Sequence, residues 1–232
     1  MDVYALFAAF GKSLLFALAA VLPILNPPAT VPLFIDLTGD LDSGMRRSLA
    51  RHIGLNVALM LMGVILIGTY VLAFFGISLP IVRVAGGLIV AYNAWRLLSA
   101  QPAERPDSSQ QSVVNAMSQQ DLQLKAFYPM TFPLTCGPGS ISAAIAVGAS
   151  LHSSRQHWGV TAANFSGGIA AMLIVGVLVW LTFRYADYLL YLLGKVGTVV
   201  FLRLAAFILL CVGVQIIWNG ASVLLLDLLR AA

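Results

Sequence analysis

The sequence predicts an all-α membrane protein, with six transmembrane helices arranged as two inverted three-helix repeats. The first helix of each repeat is expected to be broken. Three observations carry this reading. The 232 residues are 60% hydrophobic and only 9% charged, whereas about a quarter of a soluble domain is charged, so polar surface is too scarce to cover a soluble globule. Six apolar runs approach or exceed the roughly 20 residues a helix needs to cross hydrocarbon. These runs fall into two sets of three whose features recur in the same order.

The first run extends from Tyr4 to Asp36. It contains "LPILNPPATVPLF", with four prolines in thirteen residues. A proline inside a helix costs roughly 3 kcal/mol, because it removes a backbone donor and clashes with the preceding turn. This run begins with Asp2 and no base, and Lys12 lies inside it. A cleavable signal would begin basic, so the segment is expected to remain as the first span. The second run is Leu49 to Phe75 and the third Leu79 to Leu98. A polar stretch, "SAQPAERPDSSQQSVVNAMSQQD", follows and reads as a flexible linker. The fourth run, about Leu124 to Ala149, is again interrupted, at "FPLTCGPGSIS". The fifth is Trp158 to Phe183 and the sixth Val196 to Leu226. The chain therefore divides into repeat one (1–98), a cytoplasmic linker (99–123) and repeat two (124–232).

Each half opens with a proline-broken span. Each second span then opens with His-x-Gly, at His52 and Gly54 and at His157 and Gly159. Each third span carries one arginine near its start, Arg83 and Arg203. Three spans is an odd number, so successive copies insert with opposite orientation, as in many secondary transporters. Basic residues set that orientation. Arg46, Arg47, Arg51, Arg96, Arg105, Lys125, Arg184 and Lys195 fall on one side, against Lys12, Arg155 and Arg230 on the other. The first side is assigned to the cytoplasm, which places both termini in the periplasm. The net charge of +4 then reports topology and not nucleic-acid binding. The two cysteines, Cys136 and Cys211, sit in apolar segments and indicate no disulfide framework.

Hydrocarbon tolerates unpaired backbone only where protein or a water-filled cavity receives it. Asn26, Pro27 and Pro28 are expected to end one half-helix and begin another, with Asn26 as cap. Thr135, Cys136, Gly137, Pro138, Gly139 and Ser140 are expected to do the same in the second half. Two helix N-termini facing each other near mid-membrane would each carry about half a positive charge. Such a pair would suit a small anionic group without any charged side chain. The competing reading is that these prolines only kink spans for packing.

Arg83 and Arg203 are the charges placed inside spans. Each lies near a span's end, so anchoring by snorkelling and a substrate or gating role both stay open. Gly87 shares the face of Arg83 and would admit a neighbouring helix. Asn56 and Asn164 lie on the polar stripes that begin at His52 and His157. They are candidates for interhelical bonding or for lining a pathway. The two histidines lie near opposite surfaces, so no metal site is expected. No cofactor motif is present. Ser140 has no nearby base, since His152 belongs at the outer surface, which argues against a hydrolase. A non-transporting scaffold is the remaining alternative to a transporter.

The segments "LPILNPPATVPLFIDLTG", "FGISLPIVRVAGGLIVAYNAWRLL", "FPLTCGPGSISAAI" and "LRLAAFILLCVGVQIIWNG" resemble the signature segments of the MarC family, also described as NAAT-type membrane proteins. The resemblance covers nearly the whole chain apart from the linker. It implies a bacterial inner-membrane protein of six helices for which neutral amino-acid transport has been proposed. It also implies that Asn26, Pro27, Pro28, Thr135, Gly137, Pro138, Gly139 and Ser140 are motif positions. The expected partners are the lipid bilayer and a small solute.

Overall fold

The computed structural model describes residues 3–39, 41–99, 126–151 and 158–231. Among these residues every regular element is helical. The polar linker, Arg105, Lys125, His152, Arg155 and His157 lie outside the described residues.

The first half contains α1 (Val3–Leu25), α2 (Pro27–Leu37), α3 (Ser43–Phe74) and α4 (Leu79–Ser99). The second half opens with an irregular, wide-turned segment, Ala126–Thr135. Then follow α5 (Pro138–Leu151), α6 (Trp158–Arg184) and α7 (Ala186–Ala231). The first expected break falls at Asn26, between α1 and α2. The second falls at Cys136 and Gly137, where the irregular segment and α5 meet at 74°.

Helix α3 begins six residues before its apolar run. Asp42 caps it, its carboxylate accepting from the Gly44 N–H at 3.1 Å. At 32 residues it is about 48 Å long. It exceeds the hydrocarbon core, and its arginine-bearing first turns project beyond it. Helix α7 is interrupted at Gly194, whose φ of 61° and ψ of 177° are conformations open to glycine. Its apolar span is Val199–Leu229.

Among the described residues, four helices are long and apolar enough to cross a membrane: α1, α3, α6 and the Val199–Leu229 part of α7. The bent pair in the second half would make a fifth. Helix α4, at 21 residues, is long enough, but Arg83, Asn93 and Arg96 lower its hydropathy. Six spans were expected, so the shortfall lies in α4.

Helix α3 packs on α6 and α4 on α7. Helix α1 packs on α6, while the Ala126–Thr135 segment packs on α3. Helix α5 contacts α3 and α4, and α2 contacts α6 and α7. Small residues set these distances, as is usual where lipid supplies no hydrophobic drive between helices. A Cβ on Gly87 would lie 2.9 Å from both Gly213 O and Ile217 N, and one on Gly213 would lie 2.7 Å from Ala91 N. A Cβ on Gly220 would lie 3.0 Å from Arg83 Cβ. This register runs α4 and α7 antiparallel.

The buried core runs through Val21, Val31, Phe34, Leu49, Ile53, Val57, Leu61, Met172, Val175 and Phe183. Outside it, Leu59, Ile67, Leu204, Phe207 and Ile208 are each more than half exposed. Such a surface would drive association in water and is suited to lipid. Tyr4, Trp158, Tyr188 and Tyr191, also exposed, lie near helix ends, where aromatic side chains suit the membrane interface.

Candidate functional site

The two breaks come together. A Cβ on Gly139, in the first turn of α5, would meet Val90 of α4 and would lie 3.5 Å from Ile24, two residues before Asn26. Helix α5 is tied to α4 again at Ser142, whose hydroxyl donates to Val82 O at 3.0 Å.

The breaks are built differently. Asn26 adopts the left-handed conformation, with φ 41° and ψ 62°, and its side chain makes no capping bond. Asparagine is among the few non-glycine residues that visit this region readily. Pro27 and Pro28 occupy the first two helical positions and have no N–H. The Ala29 N–H donates to Asn26 O at 3.0 Å. The N-terminus of α2 is thus left with a dipole but almost no free donors. Thr30 closes the turn, its hydroxyl donating to Pro27 O at 2.8 Å.

In α5 only Pro138 lacks a donor. The Ile141 N–H is taken by Gly137 O at 3.2 Å, so the Gly139 and Ser140 N–H groups are the orphans of this N-terminus. Ser140 is 3% exposed. Thr135 and Cys136 face inward. The Thr135 hydroxyl donates to Met130 O at 2.7 Å, the Cys136 N–H to Thr131 O at 2.7 Å, and the Cys136 side chain is fully buried. Gly137 is half-buried and Pro138 exposed.

The other candidates lie apart from the breaks. Arg83 is half-buried and its Cβ faces Gly220 of α7. Arg203 is exposed. Asn56 is half-buried. Asn164 accepts from the Ser13 hydroxyl at 2.9 Å, joining α6 to α1. His52 bonds Ser48 O through Nδ1 at 2.8 Å, within its own helix. Among the described residues no group of three His, Cys, Asp or Glu could hold a metal ion. A cleft of about 280 Å³ lies at the far end of α5, lined by Lys12, Ser13, Phe16, Ser150 and Leu151.

Sequence reasoning missed an ion pair between the halves. Arg46, at the start of α3, bonds Asp187, at the start of α7, with N···O distances of 2.9 and 3.1 Å. It also donates to Thr38 O at 3.1 Å. Separated by 141 positions, the pair leaves no local signal.

An all-helical, lipid-facing bundle with paired interrupted helices defines an integral membrane protein. The chain belongs to the MarC family: the profile described as MarC family integral membrane protein matches residues 11–225. It is similar to the inner membrane protein MarC of Escherichia coli K12 and to that of Shigella flexneri. Each is 34% identical over 212 residues, covering 90% of this chain and 94% of the relative. No solved structure gives a significant match.

Proposed function

We propose that the chain is a secondary transporter that moves a small polar solute across the bacterial inner membrane. Neutral amino acids are the favoured class, on the strength of the family resemblance. The protein acts without a cofactor and is not an enzyme. Its six transmembrane helices form two inverted three-helix repeats, with both termini periplasmic.

Packing supports the repeat reading. Exchanging the halves maps the main contacts onto one another: α3 and α6 exchange, as do α4 and α7, α2 and α5, and α1 and Ala126–Thr135. Elements related by an axis in the membrane plane run antiparallel, as α4 and α7 do.

The single observation that carries the functional reading is the first turn of α5. It offers two orphan backbone donors, with the Ser140 hydroxyl next to them, beside the break at Asn26. A carboxylate would take the Gly139 and Ser140 N–H groups and the Ser140 hydroxyl, assisted by the helix dipole. The dipole of α2 adds potential without donors, and the Asn26 side chain supplies a polar contact. Thr135, Cys136 and Gly137 shape the bend, while Pro27, Pro28 and Pro138 start the helices.

A second reading, a non-transporting scaffold, draws on the packing of Gly139 against Val90 and Ile24, which would also follow if the bend served fit alone. Uptake of a labelled amino-acid panel into proteoliposomes tests the choice. Transport predicts solute accumulation above protein-free liposomes, and a scaffold predicts none.

A further inference from the structure

Helix α2 is held differently at its two ends. At the start, Asn26 turns through a left-handed conformation with no side-chain cap. At the finish, three contacts converge. The Thr38 hydroxyl donates to Phe34 O at 2.6 Å. Arg46 Nη2 donates to Thr38 O at 3.1 Å, and Arg46 Nη1 donates to both oxygens of Asp187, at 2.9 and 3.1 Å. One turn deeper, Phe34 lies flat on Phe183, with ring centroids 4.5 Å apart and planes at 9°. Both rings are buried. Phe34 and Arg46 belong to the first half of the chain, Phe183 and Asp187 to the second. The body of α2 itself rests on α6, α7 and the Ala126–Thr135 segment.

We propose that α2 is a gate. It pivots at Asn26 and closes the route between the two breaks and the membrane face that carries Arg46, Arg47 and Arg51. The Phe34–Phe183 stack is its seal, and Arg46, held by Asp187 and donating to Thr38 O, is its catch. This rests on the transporter reading.

The catch is built to hold and to release. A guanidinium sharing two carboxylate oxygens and a helix-terminal carbonyl is a directional, charge-assisted contact. Against it, the Asp187 side chain is 70% exposed while that of Arg46 is 17% exposed, and water and salt weaken such a pair. Closure also buries Arg46 Nε without a partner among the described residues. A buried unpaired donor is costly, and opening returns it to water. Gains and losses on release thus offset each other, as a two-state element requires.

Hydrogen–deuterium exchange of the full-length protein in detergent, with no solute added, tests the gate. Asp187→Asn should speed exchange of the Val31–Leu37 amides about tenfold, the scale of one charge-assisted contact, and leave the middle of α3 and α6 unchanged. Asp187→Glu, which keeps a carboxylate for Arg46 and leaves Arg46 donating to Thr38 O, should keep exchange slow. Unchanged exchange in α2, or an equal rise in all helices, would overturn the proposal. Because no solute is needed, a protected α2 alongside measured uptake sinks the gate alone. A released α2 in a protein that moves no solute sinks the transporter reading beneath it.

Discussion

Gly54 and Gly176 meet where α3 crosses α6. A Cβ on either residue would lie 2.6 Å from the carbonyl oxygen of the other. No side chain fits there, so the two helices are spaced by the absence of one.

Gly54→Ala and Gly176→Ala should each destabilise the bundle. The new methyl meets backbone, and overpacking of this kind costs about 1–3 kcal/mol. Gly63→Ala on the same helix is the control, since nothing lies within 4 Å of its Cβ position. There the gain in helix propensity, up to about 1 kcal/mol, should leave stability equal or higher. Melting temperatures in one detergent compare all three. Equal losses at Gly54 and Gly63 would show that the crossing does not set the spacing.

Ser13→Ala should cost less. It removes the one bond from Ser13 to Asn164, and interhelical hydrogen bonds in membranes average about 0.6 kcal/mol. A small drop in melting temperature is expected, well below that of Gly176→Ala. A drop as large as the glycine variant's would mean that Ser13 supports more than this bond.

Arg83→Lys should preserve both insertion and solute uptake. The Arg83 Cβ packs toward Gly220 on α7, and a lysine stem can snorkel to the interface from the same place. Uptake that falls while expression holds would indicate planar recognition of a carboxylate by the guanidinium and bring Arg83 into the site.

Topology is open to a direct check. Reporter fusions at Ala232 should behave as periplasmic, and fusions within residues 100–121 as cytoplasmic. A cytoplasmic C-terminus would contradict the inverted repeat.

Both breaks were legible in the sequence, because proline and glycine act through the backbone at their own positions. The structure places the interruptions at Asn26 and at Cys136–Gly137. Hydropathy could not give the start of α3. The helix is extended by the Asp42 cap through residues too polar for the hydrocarbon, and that depends on capping geometry. The difference between the breaks was legible only in part. The missing donors of Pro27 and Pro28 are written in the sequence, but the bond from Ala29 to Asn26 O needs coordinates. The Gly194 interruption, the Phe34–Phe183 stack and the Arg46–Asp187 pair were not legible, since each depends on three-dimensional placement that local patterns do not encode.

The central claim is that the bend before α5 presents donors to solute. Replacing Gly137 and Pro138 together by alanine favours a continuous helix across the 74° bend, while Gly139 is kept because Val90 occupies its Cβ position. The most direct measurement is uptake of labelled neutral amino acids into proteoliposomes holding equal amounts of the parent or this variant. The account predicts uptake by the parent and its loss in a variant that inserts normally. Equal uptake by the two would contradict it.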